Sequence, residues 1–331
     1  MSGKFRKALV IVLSLTVLAA TGCIFSHVYA EAQAPVKPGI WSSAAELAEV
    51  PMSGPGWEAV KKVADSVSPA QALVSNQDSN NNVAILAAGI VYARTGVQSY
   101  KDKVAAACEK LAGGGKPTGR TLAWARETGA YAMAADLVGY RTPAFETWLR
   151  NMAEVYVAED GRTMKGTFLE RPNNWGTMAF GSLAAIYAYL GDTKALAELR
   201  DYWVKCVTGP NPGSIYGSDL SWHADPKNPR LINPKDAVKE GLNIDGFVPD
   251  DMRRGGSFKN PPNYTGYAWE TLQGLVMGAR VLARQGMSIW DVDDKALYRA
   301  AYAIQVRLGG TDAAWKAEGD DRWMLAFLDK V

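Results

Sequence analysis

Three short stretches hold most of the side chains able to act on a ligand. The first, Glu170-Arg171-Pro172-Asn173-Asn174-Trp175-Gly176, sets two amides and an indole at the head of a long apolar run. Pro172 suits a first helical turn, and an Asn there either caps the helix or points its amide into a cleft. The second is Asp250-Asp251-Met252-Arg253-Arg254-Gly255-Gly256, with Tyr264 and Tyr267 close behind. Paired carboxylates beside paired guanidiniums can form an ion-pair knot, and a spare Arg can clamp a substrate carboxylate bidentately. The third is Ser221-Trp222-His223-Ala224-Asp225, where Trp222 and the nearby Tyr216 offer an aromatic platform of the kind that stacks on sugar rings. His27 falls in the N-terminal segment, so His223 is the one histidine expected in the mature chain.

Other chemistries lack their residues. There is no G-x-S-x-G elbow, no phosphate-binding P-loop and no His-Glu-x-x-His helix. Cysteine and histidine never cluster at zinc spacing, so no metal and no other cofactor is expected. Lys and Arg number 36 against 34 Asp and Glu, and setting aside Lys4, Arg6 and Lys7 leaves 33 basic groups. A balance so even gives no support to nucleic-acid binding, and an acidic ligand would have to be caught by a local cluster.

The elements that position these stretches are helical and come in pairs. Val83, Leu86, Ala87, Ile90 and Val91 mark one face of a helix that stops at Thr95-Gly96, and a partner runs from Gln98 to Leu111. The same pattern returns at 121–138 with 143–157, at 174–190 with 193–207, and at 266–284 with 294–306. Strand patterning is weak throughout. Four hairpins at this rhythm predict an all-α array, and because the units differ strongly from one another a closed toroid is preferred to an open solenoid. Residues 208–263 break the rhythm with a Gly-, Pro-, Asn- and Asp-rich loop, far longer than an ordinary connection and a natural place for a site. Cys108 and Cys206 fall inside apolar helical patterns, which points to buried free thiols.

Residues 1–30 read as an export signal: a basic start, an apolar run over Ala8–Ala20, and a small-residue site at Val28-Tyr29-Ala30. Ala20-Thr21-Gly22-Cys23 also resembles a lipobox, in which Cys23 would be lipidated. The expectation is a secreted or periplasmic protein whose only membrane link is the signal or a lipid at Cys23, with residues 31–331 forming one domain.

Asn173-Asn174 opening a helix, followed after about 80 residues by an Arg-rich loop and a Tyr leading into Gly274-Leu275-Val276-Met277-Gly278-Ala279, resembles the alginate lyase domain of polysaccharide lyase family 5 and its secreted relatives. The resemblance runs from Trp41 to Gly286. It implies an incomplete α/α toroid and β-elimination at a uronic acid, which leaves a 4,5-unsaturated end. It places the carboxylate-neutralising Asn on Asn174 and the Tyr that moves protons on Tyr267, seven residues before Gly274. The family's Arg falls on Arg253 or Arg254, which stand 14 and 13 residues before Tyr267, so a short insertion separates them. Where the family has a His after the double Asn, this chain has Trp175, and His223 becomes the candidate assistant. Asn173, Trp175, Trp222, Tyr264 and Tyr216 complete the expected substrate contacts.

The expected function is cleavage of a uronate-containing polysaccharide. The alternatives are a toroidal glycoside hydrolase using Asp250 and Asp251, disfavoured because adjacent residues rarely flank one bond, and a non-catalytic saccharide-binding or export protein. The export reading has a direct check. The intact mass of the processed protein should correspond to a chain beginning at or after Cys23, and recovery of an uncleaved Met1 form from the cytoplasm would overturn it.

Overall fold

A computed structural model describes residues 39–211 and 213–328, and the export segment with Cys23 lies outside them. Numbered in chain order, α1 (Ala44–Ala48) and α2 (Pro55–Ser66) precede the pairs α3 (Asn81–Thr95) with α4 (Gln98–Gly113) and α5 (Thr121–Val138) with α6 (Pro143–Arg150). After α7 (Met164–Glu170) come α8 (Asn174–Leu190) and α9 (Thr193–Thr208). Beyond a long irregular stretch that holds α10 (Pro249–Met252), the chain finishes with α11 (Tyr267–Arg284), α12 (Val292–Tyr302) and α13 (Arg322–Leu328).

Residue type decides which helix of a pair lies inside. On α8 every residue from Gly176 to Tyr187 is buried, and α5 is nearly as apolar all round, the pattern of a helix enclosed on every side. On α9 only a stripe of Ala195, Leu196, Leu199, Trp203, Cys206 and Val207 is covered. Asp192 caps α9 through the Ala195 amide, and Gly191 in the left-handed region (φ 68°) makes the reversal that leads into it.

The inner helices α3, α5, α8 and α11 lie side by side and run parallel, because their contacts advance together along both partners. Asn82 donates to the Arg126 carbonyl, and two turns later Gly89 rests on Ala134. Arg120 lies over the Trp175 ring, and further along Gly129 donates to Ser182. Asn174 reaches Glu270, and Phe180 packs where Gly278 leaves room. All four inner helices therefore begin at one end of the molecule, an arrangement compatible with an incomplete toroid.

The structure also refines the sequence reading. The expected 143–157 helix becomes α6 plus a π-helical turn, Asn151–Val155, and α12 likewise ends in a π turn, Ala303–Leu308. Its start is displaced by Asp293, Asp294 and Lys295 in left-handed conformations, where Arg299 bonds the Asp293 carbonyl and carboxylate. The long loop contains a two-stranded antiparallel ladder, Val238–Lys239 with Leu242–Asn243, too short to leave an alternating pattern. Cys108 and Cys206 are free and buried, as expected, and burial pushes the Cys206 thiol up to about 11. No helix among the described residues is long and apolar enough to cross a membrane.

Small residues allow the inner helices to approach closely. A Cβ on Gly274 would collide with the backbone of Thr177 and Met178 on α8. Gly274→Ala should therefore lower unfolding stability by about 1–3 kcal/mol in a denaturant titration, the usual cost of overpacking, although alanine is the better helix former.

Candidate active site

The two adjacent amides and the two adjacent acids identified in the sequence meet each other. Asn173 caps α8 by accepting from the Trp175 amide, and its own Nδ2 donates to Asp250 at 2.9 Å. The Asn174 backbone N–H donates to Asp251 at 3.3 Å, so α10 is pinned across the first turn of α8. All four residues are buried.

The two acids are held differently. Asp250 is ion-paired with Arg253, whose Nε lies 2.8 Å away, and it also accepts from the Gly217 amide. Burial pushes Asp251 up to about 8, against the hydrogen bonds from Thr271 and Asn174 that favour its carboxylate. Neither presents an oxygen to a substrate, which removes the pair from acid and base duty.

Arg253 is therefore spent on Asp250, whereas Arg254 is exposed and has no acidic partner among the described residues. Its guanidinium packs on the Tyr267 ring, 3.9 Å from the centroid. Tyr267 opens α11, and Glu270, Thr271 and Gly274 follow it at helical spacing on the face turned toward α8. Glu270 is bridged by Arg126 at 2.7 Å and by the Asn174 side chain at 2.5 Å. Asn174 is fully buried, and its Oδ1 has no partner among the described residues. Sequence reasoning missed Arg126 and Glu270. Their only signal was that Glu270 falls one turn beyond Tyr267.

Several expected contacts lie elsewhere. Trp222 is 1% exposed, donates to the Gly256 carbonyl and packs on Phe247 and Phe258, so it is core and not a sugar platform. His223 is equally buried, neither ring nitrogen has a hydrogen-bond partner among the described residues, and burial pushes it down to about 4, which keeps it neutral. It lines a cavity of about 290 Å³ bounded by Arg230, Asn233 and the end of α9, with no residue of the Arg254–Tyr267 cluster in the wall. Tyr216 sets its ring edge against His223 and donates to the Pro229 carbonyl. Tyr264 is exposed but leans on Trp315. Trp175 is half-buried beside Arg171 and Arg120. Among the described residues no group of His, Cys, Asp and Glu is arranged to hold a metal ion.

The site's frame, from the middle of α5 through α8, the long loop and α11 to the π turn after α12, coincides with the alginate lyase family model, which matches residues 128–305. The chain belongs to the alginate lyase family. Among curated proteins no relative matches it. For this alginate lyase domain the membership supports polysaccharide lyase chemistry in general and an acidic polysaccharide as the substrate. The matched segment contains Asn173, Asn174, Arg254 and Tyr267, while Arg120 and Arg126 precede it.

One buried acid near the cluster gives a pH test. Glu127 on α5 is 1% exposed, neither oxygen has a hydrogen-bond partner among the described residues, and burial pushes it up to about 8, with Arg126 opposing and Asp78 adding to the rise. A carboxyl raised on folding stabilises fully below its unfolded value near 4.5, and that stability is lost as pH climbs through about 8. Denaturant titrations at pH 5 and pH 8 should show the native protein losing about 2–4 kcal/mol more than Glu127→Gln. Equal losses would mean that Glu127 ionises freely.

Proposed function

We propose that the protein is an exported lyase that cleaves a uronate-containing polysaccharide by β-elimination. The observation that carries this reading is the Arg254 guanidinium, without an acidic partner among the described residues, lying against Tyr267 in a chain of this family. Arg254 binds the uronate carboxylate and neutralises it, so the charge released at C5 has somewhere to go. The Tyr267 oxygen takes the C5 proton, the electron pair forms the C4–C5 double bond, and the 4-O bond breaks. The leaving oxygen recovers a proton from the same phenol. Asn174, tied to Glu270, serves as a positioning residue that holds the Glu270–Arg126 bridge one helical turn from Tyr267. His223 is left out of the proton transfers, because its ring is buried and the cavity it lines includes neither Arg254 nor Tyr267. The export signal at residues 1–30 supports action outside the cytoplasm.

Absorbance of the conjugated double bond, followed on alginate, glucuronan, pectate and hyaluronan, tests the reading. A lyase produces that absorbance, a hydrolase only reducing ends, and a binding protein neither. Tyr267→Phe should abolish the signal while substrate binding persists. Arg254→Ala should lower kcat/KM about 10²- to 10³-fold, the scale of one lost electrostatic donor, and His223→Ala should leave turnover near the native rate. Full activity in Tyr267→Phe would refute the mechanism.

A further inference from the structure

The chain enters the fold at the end opposite the candidate site. The Gly39 carbonyl accepts from Arg284 at 2.9 Å, and the Ile40 amide donates to Asp136 at 2.9 Å. Glu46 on α1 pairs with Arg284 at 2.8 Å, and the Val50 carbonyl accepts from Arg94 at 2.7 Å. Arg284 is the last residue of α11, Asp136 stands two residues from the end of α5, and Arg94 one residue from the end of α3. Residues 39–50 therefore run as a strap across the carboxyl ends of three inner helices. Asn174 and Tyr267 open α8 and α11 at the other end, and helices of 17 and 18 residues put about 25 Å between the two.

The strap end also leaves apolar side chains in water. Val50 and Met52 are half exposed where the strap finishes, and Pro51 between them is exposed. Val97, three residues beyond Arg94, is half exposed as it leads into α4. A single exposed apolar residue is ordinary, but four at the end of one helix mark a surface that something covers. Upstream, Cys23 of the lipobox-like Ala20-Thr21-Gly22-Cys23 stands 16 residues before Gly39, a tether able to span at most about 55 Å.

We propose that Cys23 carries a diacylglyceryl lipid and that the strap end, with Val50, Met52 and Val97, lies on the phospholipid bilayer, so that Asn174 and Tyr267 face away from the membrane. The Cys23 sulfur bonds to the glycerol carbon of a membrane phospholipid as that carbon's bond to the phosphate oxygen breaks, and the thiol proton leaves with the headgroup phosphate. Water then hydrolyses the Gly22–Cys23 peptide bond and frees the Cys23 amine. Two acyl chains anchor stably where one does not, so the lipid supplies the attachment, and the apolar side chains at headgroup depth decide which end of the molecule faces the bilayer.

The test has two arms, both on the full chain exported from a bacterium. In the first, the native protein should stay with the membrane fraction through a carbonate wash, with a lipid-modified Cys23 at its amino terminus by mass, and Cys23→Ala should move to the soluble fraction. Native protein in the soluble fraction, or Cys23→Ala retained on the membrane, overturns the anchor. In the second, a polarity-sensitive dye is placed on Val97→Cys or on Thr118→Cys, an exposed position two residues before α5 at the amino end; Cys108 and Cys206 are buried and do not compete for it. On vesicles of phosphatidylethanolamine and phosphatidylglycerol the dye at position 97 should shift to the blue and be quenched by spin-labelled lipid, while the dye at 118 should do neither. No shift at 97, or an equal shift at 118, overturns the orientation. Neither arm reads turnover, so a failed lyase assay and a failed membrane test are told apart.

Discussion

Two neighbouring acids, out of water, hold two neighbouring amides from a distant part of the chain, and the site depends on this double clasp. Asp250 takes the Asn173 side chain, and Asp251 takes the Asn174 backbone. A buried carboxylate needs compensation, and here compensation comes in two forms: Arg253 neutralises Asp250, and Asp251 is raised so far by burial that it carries a proton near neutral pH. Each acid thereby gives α10 a fixed place over the start of α8, and the irregular stretch before α10 is tied down at its far end.

The clasp also sorts the two arginines. Because Arg253 is one helical turn from Asp250, it is drawn inward and half-covered, and Arg254, the next residue round, is turned outward onto Tyr267. Neighbours in sequence thus take opposite duties, one structural and one facing the ligand. Further in, Thr271 on α11 closes on the other oxygen of Asp251, so the helix that carries Tyr267 is registered against the same acid that fixes Asn174. The spacing between Tyr267 and the double amide is set by one buried side chain and not by the loop.

Helix positions were legible in the sequence wherever apolar periodicity ran unbroken: 121–138 and 174–190 agree with α5 and α8 to the residue. Short helices such as α7 and α10 escaped because one or two turns leave no period to read, and the ladder at 238–243 has too few residues to alternate. At the site, residue types identified the cluster of Asn173, Asn174, Asp250, Asp251 and the arginines, yet spacing alone could not say which Arg would be spent on an acid. Trp222 and His223 misled for a different reason. Aromatic and imidazole groups in a polar loop look available, but this loop folds back on its own core of Trp222, Phe247 and Phe258. Arg120 and Arg126 were invisible as site residues because only the packing of α5, α8 and α11 brings them to Trp175 and Glu270.

The parallel course of α3, α5, α8 and α11 has an electrical consequence. Each helix carries about half a positive charge at its amino end and the same negative charge at the other; the outer helices of the hairpins return the opposite way and offset much of this at a distance, but within a turn of the four inner amino ends the fields act together. The end of the molecule where the inner helices begin, which carries Asn174 and Tyr267, is therefore locally positive although the side chains nearly balance over the chain. A carboxylate seated at that end meets these amino termini at short range, within the first turn where the effect is felt.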